Sequence, residues 1–380
     1  VQGEFEMGTT RRAMLAGAGL LAAGAALAKV APRGDHYDRA IVIDGLGSVD
    51  DPVPDGNPDN FVLSPQAVQQ IRASGVTAWQ VTVGDVGNDL SNWDTTLGNI
   101  AFWERLIAAN PAVLMPGRSA ADIRAAKAAG KAAIVFGTQD TAMAGANLDR
   151  LDTLSGLGVR VVQLTYNNRN LSGDGALEPA NAGLSKLGRK TIERIEKNRQ
   201  LLDLSHGGQR TIAEAIAAAK RPLTISHTGC RALNDNPRNV WDAELKALAD
   251  KGGVVGIYWM PFLVASGKPL AADLVRHLAH AVDVCGEDHV AIGTDGILSK
   301  TLIDDKARAS QKKAFEDRIA KGIAAPGEGP DVFTIIPDLD SHLRFRLLSD
   351  ALAGAGWTAA RIDKILGANL LRLYGDVWSA

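Results

Sequence analysis

The chain holds only two cysteines, Cys230 and Cys285, in 380 residues. So few exclude a disulfide-stapled scaffold, and both lie near strand-like runs, which predicts buried free thiols rather than a bridge. A surplus of one charge is lacking too: 41 Lys and Arg stand against 43 Asp and Glu, a net charge of −2. So neutral a chain carries no electrostatic footprint for nucleic acid or for an anionic membrane surface as partner. Past residue 28 no apolar run is long and uncharged enough to cross a bilayer, so no membrane span is expected in the mature protein. The rest is ordinary: 46% apolar and 22% charged residues, in a length that can bury one large core or two smaller ones.

The first residues differ from the rest. TTRRAMLAGAGLLAAGAALA (9–28) sets paired arginines before a weakly apolar run that closes on Ala26-Leu27-Ala28. Basic residues, moderate hydrophobicity and an A-x-A end make an export signal, and Arg11-Arg12 favours the twin-arginine route. An N-terminal helix is the competing reading, but the glycines in this run disfavour it. Residues 1–28 are therefore expected to be an extension and signal peptide, with Met7 as a natural start. Residues 29–380 are expected to form the mature domain, exported to a bacterial periplasm.

From Arg39 onward, β-rich runs alternate with Ala-rich helical stretches. The strands are expected at AIVID (40–44), TAWQVTV (77–83), AAIVFG (132–137), VRVVQLTY (159–166), LLDLSH (201–206), PLTISH (222–227), VVGIYW (254–259) and HVAIGTD (289–295). Several are apolar throughout, as parallel strands covered on both faces must be. The intervening SAADIRAAKAAG, LDRLDTLSGLG and WDAELKALADKGG have helical spacing and end in Gly, a common helix stop. Eight such repeats predict an α/β fold of the (β/α)8 TIM-barrel type, with a doubly wound open sheet as the alternative.

In a barrel, functional groups collect at the C-terminal ends of the strands. The polar residues there are Asp44, Gln139, Tyr166, His206, His227 and Asp295. Two runs that each finish in Ser-His, LLDLSH and PLTISH, put two imidazoles on neighbouring strands. Neutral imidazoles suit zinc, and two of them leave positions open for water. Asp295 is placed to take a proton from that water or to bind the ion. The alternative is two buried histidines satisfied by backbone partners.

A further set of stretches occurs in order along the chain. LTYNNRNLSGDG (164–175), LDLSHGGQRT (202–211), ISHTGCRALNDNPRNV (225–240), GGVVGIYWMPFL (252–263), DHVAIGTDG (288–296) and ILGANLLRLY (365–374) together resemble the membrane (renal-type) dipeptidases, a family of zinc hydrolases, in their bacterial branch. The resemblance implies a metal-dependent barrel with two bridged zinc ions that cleaves dipeptides and tolerates a D-residue at the C-terminal position. It makes His206 and His227 the histidines of the second zinc site and Asp295 the proton-handling aspartate. It also makes Arg238, in PRN, the arginine that grips the substrate carboxylate, which a guanidinium can do with two hydrogen bonds.

Other positions depart from that pattern. The family's Asp-Gly-His-Asn-Asp is here Asp44-Gly45-Leu46-Gly47-Ser48, without the two ligands of the first zinc. Gln139, in FGTQDT beside Asp140, replaces the bridging glutamate, and its amide lacks the charge that holds two cations together. Tyr166 replaces an oxyanion-stabilising histidine, and its hydroxyl can still donate there. The expectation is a hydrolase of dipeptides, N-acyl amino acids or related small amides with a free carboxylate. It is expected to use one zinc per chain, with His206, His227 and Gln139 as metal residues, Asp295 and Tyr166 as catalytic ones, and Arg238 with Tyr166 on substrate. A non-catalytic periplasmic peptide-binding protein is the alternative. A site rebuilt from Asp50, Asp51 or Asp85 is a third reading, against which DDPVPDGNPD reads more simply as a solvated loop. Residues 297–337 are longer than an ordinary strand-to-helix connection, which fits a lid; a surface appendage or a homodimer contact fits equally well.

Overall fold

The computed structural model describes residues 34–379 except 52–53, 55–56, 58 and 88–91. The signal-peptide expectation for residues 1–28 lies outside the described residues. Eleven strands occur among the described residues: β1 (Ile43–Asp44), β2 (Gly47–Ser48), β3 (Ala78–Thr82), β4 (Leu114–Pro116), β5 (Ala132–Thr138), β6 (Val159–Gln163), β7 (Leu201–Asp203), β8 (Thr224–Thr228), β9 (Val254–Ile257), β10 (Val290–Ile292) and β11 (Gly296–Ile297). The sheet runs β1-β3-β5-β6-β7-β8-β9-β10, with β4 on the side of β5, and neighbouring strands are parallel throughout. β11 pairs with β2, and the Gly45 amide donates to the Ile292 carbonyl at 2.9 Å. The last strand thus returns to the first, and the sheet curls into a nearly closed (β/α)8 barrel rather than an open one.

The helices form where the sequence places stop and start signals. Ser119 caps the Ala120–Ala129 helix by accepting from the Asp122 amide, and Gly130 ends it in the left-handed conformation. Asp149–Gly156 and Asp242–Asp250 match the other two helical stretches read from the sequence. Among the described residues, no helix is long and apolar enough to cross a membrane. Both cysteines are free thiols, Cys230 buried and Cys285 half-buried.

Alternation along each strand separates two cores. The barrel interior holds small apolar residues, among them Ala78, Ala133, Val161, Leu201, Val254 and Ala291, against Leu370, Leu373 and Tyr374 of the Asn369–Trp378 helix. That helix therefore closes the end of the barrel opposite the site. Two residues further along the same strands the interior becomes polar, with Gln80, Gln163 and Asp203 all buried. At this level a Cβ on Gly256 or Gly293 would fall 1.9 or 2.0 Å from the Ser226 carbonyl oxygen, so only glycine lets these strands approach.

Several strands end earlier than their sequence runs suggest. VRVVQLTY is strand only to Gln163, LLDLSH only to Asp203, and HVAIGTD covers Val290–Ile292. The reason lies in the backbone, since His206 (φ 61°) and Asp295 (φ 55°) adopt left-handed conformations that end extended pairing. Such non-glycine residues are costly and occur where the surroundings enforce them, often at functional sites. The short strands β2, β4 and β11 carry too few residues to show a periodic signal.

Candidate active site

A cleft of about 400 Å³ opens at the C-terminal ends of the strands. Gln139, Tyr166, His206, Arg238 and Asp295 all line it. His227 does not: it is fully buried behind His206, with ring centroids 4.9 Å apart and the rings edge to face. The structure thus brings together all six residues expected from sequence, five on the cleft wall and one beneath it.

The proton positions on the two histidines follow from their neighbours. His206 Nδ1 lies 2.6 Å from Asn167 Oδ1, while Asn167 Nδ2 donates to the Ile323 carbonyl at 2.7 Å. The amide oxygen must therefore accept from Nδ1–H, which leaves Nε2 as a bare lone pair. His227 reaches the same state through a hydroxyl. Ser226 Oγ donates to the Asp203 carboxylate, so it accepts from His227 Nδ1–H at 2.8 Å. Ser205 plays a different part: its hydroxyl donates to Asp203 at 2.8 Å and accepts from the His227 amide at 3.1 Å. The two Ser-His pairs look alike in sequence, yet only the second is a serine holding its own histidine.

Burial, followed by the field of Arg238, pushes both imidazoles well below the ordinary histidine range. Both are therefore neutral at pH 7 and in the ligating form. Both Nε2 atoms are buried without any hydrogen-bond partner. An unpaired buried ring nitrogen is unfavourable by about 1–3 kcal/mol, and here two occur on rings in edge-to-face contact.

These atoms fit one metal ion held by two imidazoles. Among the described residues there is no group of three or more His, Cys, Asp or Glu able to hold a metal. Leu46 is 2% exposed and presents only hydrocarbon. Asp44 is spent on closing the barrel, accepting from the Thr294 amide at 2.8 Å and from its hydroxyl at 2.6 Å. Burial raises this carboxyl to about 7. Gln139 donates to Thr82 Oγ1 at 2.9 Å and offers a cation only its neutral amide oxygen. The acids considered for a rebuilt site are mostly engaged elsewhere. Asp50 accepts from the Ser299 amide, Asp51 from Ser64, and only Asp85 reaches the cleft.

Arg238 is 3% exposed, and its backbone is pinned on both sides, by Asn236 Oδ1 on its amide and by Thr228 Oγ1 on its carbonyl. Among the described residues its guanidinium makes no ion pair and no hydrogen bond; Tyr258 lies beneath it, 5.9 Å to the ring centroid. Asp295 is partly exposed to the cleft. Burial raises its carboxyl to about 6, against the lowering pull of Arg238 and Arg318. Tyr166 stacks on His206 with centroids 4.1 Å apart and planes 24° apart. Burial likewise raises its phenol, so it is protonated and able to donate.

Arg318 and Glu328 have no counterpart in the sequence reading. Both line the cleft from the 297–337 segment, where Asp305–Ala320 forms a helix without a single buried residue. Having no apolar stripe, that helix carries no periodic clue to the face that meets the site. Asn167 and Asp203 were also missed as positioning groups, although both lie inside stretches already singled out, LTYN and LLDLSH.

A family model described as membrane dipeptidase, peptidase family M19, matches residues 57–306, about two thirds of the chain. An uncharacterized protein from the pqqA 5' region of Klebsiella pneumoniae is 30% identical over 233 residues, covering 58% of this chain and 73% of its own length. An uncharacterized dipeptidase of Schizosaccharomyces pombe is 32% identical over 173 residues, 44% of this chain and 42% of that protein. Among solved structures, an amidohydrolase from Pseudomonas aeruginosa superposes with a TM-score of 0.78 at 29% identity, over 92% of this chain and 99% of that one.

Proposed function

Since the chain belongs to the membrane dipeptidase family of metal-dependent hydrolases, we propose that it hydrolyses dipeptides or N-acyl amino acids bearing a free carboxylate, with one metal ion per chain. The observation that carries this reading is the guanidinium of Arg238, buried in the cleft wall with no direct ion pair or hydrogen bond among the described residues. A buried charge with no partner is costly, and a carboxylate from the substrate supplies the partner.

The Nε2 atoms of His206 and His227 would hold a zinc ion, which supplies Lewis-acid polarisation of the scissile carbonyl. The chain's own groups do the rest. Arg238 fixes the carboxylate end of the substrate and so sets which carbonyl faces the catalytic groups. Asp295 accepts a proton as water attacks that carbonyl and returns one to the departing amine nitrogen as the C–N bond breaks. Tyr166 donates a hydrogen bond from its hydroxyl to the oxygen that gains charge. The twin-arginine stretch at 9–28 supports a periplasmic setting for this activity.

The substrate class is tested with matched pairs, a dipeptide or N-acyl amino acid and its C-terminal carboxamide. Loss of the carboxylate is expected to lower kcat/KM by about 10²-fold or more, because the buried guanidinium is left unpaired. Equal turnover of acid and amide overturns the carboxylate requirement. Metal content gives a separate check. Elemental analysis of protein loaded with excess zinc and then desalted is expected to give one ion per chain, and none in His227→Ala. Two ions per chain would mean that a second ligand set has been assembled. No ion at all, together with tight carboxylate binding and no turnover, would support a binding protein instead.

A further inference from the structure

Tyr166 is held by more than its stack on His206. Arg318 Nη1 donates to its hydroxyl oxygen at 3.0 Å. Three of the other four donors of that guanidinium are also committed, Nε and Nη2 to the Glu328 carboxylate and Nη2 to the Ile323 carbonyl at 3.1 Å. Arg318 is therefore a clamped fork with one prong on the phenol. It is not a second free anion site like Arg238.

The consequence for the phenol is directional. Its oxygen already accepts from a cation, and among the described residues its own proton has no acceptor. The aromatic ring is wedged against His206, so the hydroxyl sits at a fixed point of the cleft wall. A hydroxyl that accepts a charge-assisted hydrogen bond becomes a stronger donor through its own O–H.

We propose that Arg318 is the positioning residue that makes Tyr166 an effective donor to the developing oxyanion. Because Arg318 lies in the helix Asp305–Ala320, this donor is complete only while that segment is docked on the barrel. The inference rests on the hydrolase reading above.

Three further contacts tie the segment down. Asn167 Nδ2 donates to the Ile323 carbonyl, Asn168 Nδ2 to the Gly322 carbonyl and Asn236 Nδ2 to the Pro326 carbonyl. No residue of the helix is fully buried and only Ala307, Gln311, Phe315 and Arg318 are half-buried, so its place depends largely on polar contacts, these three and the Arg318–Glu328 pair among them. Asn167 also orients His206, so one docking event sets both the phenol and the imidazole. The role of residues 297–337 thereby becomes specific: they carry a residue that completes the site.

The experiment is a double-mutant cycle on full-length protein, using Tyr166→Phe, Arg318→Met and the double variant, with Arg318→Lys as the conservative control. Arg318→Met is expected to lower kcat about 10- to 100-fold with KM changed little, as for loss of oxyanion stabilisation. In the Tyr166→Phe background the same change is expected to cost less than about threefold, since the group it acts through is gone. Arg318→Lys should recover about tenfold, a point charge still reaching the phenol without the fork. A second readout does not depend on turnover. A phosphinate pseudo-dipeptide, which presents a tetrahedral anion, should lose about tenfold or more in affinity for Arg318→Met, while the product amino acid binds as before.

A merely structural Arg318 would give equal losses in both backgrounds, with phosphinate and product weakened alike, and that result overturns the proposal. Wild-type protein that neither turns over the substrates nor binds the phosphinate removes the hydrolase reading, and this inference with it. Normal wild-type turnover with kcat unaltered in Arg318→Met removes this inference alone.

Discussion

Asp295→Asn is expected to lower kcat by about 10²- to 10⁴-fold, the range lost with a positioned general base. Asparagine keeps the size and the left-handed preference that the backbone demands at φ 55°, so the fold should survive and the loss should be chemical. The pH profile gives the sharper check. Burial raises the Asp295 carboxyl to about 6, and the base form exists only above that value. Wild-type kcat/KM should therefore climb with pH through about 6 and level off above it. The climbing limb should vanish in Asp295→Asn. A limb that persists in the variant would assign the proton to another group. A wild-type limb near 4, the ordinary aspartate range, would show that water reaches this carboxylate freely.

The second large effect concerns Arg238, where activity and stability should move in opposite directions. Arg238→Met removes the group that pairs with the substrate carboxylate, and truncating one side of a buried charge pair typically costs about 2–5 kcal/mol. At about 1.4 kcal/mol per decade, kcat/KM should fall by roughly 30- to 4,000-fold, mainly through KM. Carboxamide substrates, already lacking the anion, should be affected far less. The empty protein, however, should become more stable. Arg238 is 3% exposed and its guanidinium makes no direct ion pair among the described residues, with only the field of Asp295 and Glu328 to offset it, so a methionine of similar length removes a poorly compensated buried charge. A rise in Tm together with a rise in KM supports the assignment. A fall in Tm with unchanged KM would mean that Arg238 serves the fold and not the substrate.

Arg238 and the two bare imidazoles are buried polar groups that the protein leaves without a direct partner among the described residues. Nearly everywhere else local sequence and tertiary structure agree. The Ala78, Ala133, Val161, Leu201 and Val254 positions are aliphatic, mostly small or β-branched, and fill the barrel, and Leu370, Leu373 and Tyr374 plug its lower end. Exceptions of this kind are expected at functional sites, since a group satisfied in the empty protein has nothing left for a ligand.

The amino-acid sequence by itself determined the repeating strand-and-helix pattern and pointed to six residues that the structure brings together at or just beneath the cleft. Hydrophobic runs, capping residues and strand-terminal polar groups are local signals, each carried by a few adjacent positions. The departures from the family's pattern were legible for the same reason: Leu46 carries no donor atom for a metal and Ser48 only a neutral hydroxyl. Only the tertiary structure decided what each polar group is bonded to. The likeness of the two Ser-His pairs concealed that Ser226 fixes the proton of His227, whereas His206 depends on Asn167, which is 39 residues away along the chain. Arg318 meets Tyr166 across 152 residues, from a helix whose exposed, unpatterned surface gives no clue to where it docks. Hydrogen bonds are short-ranged and directional, so partners distant in sequence are set by how the chain closes on itself.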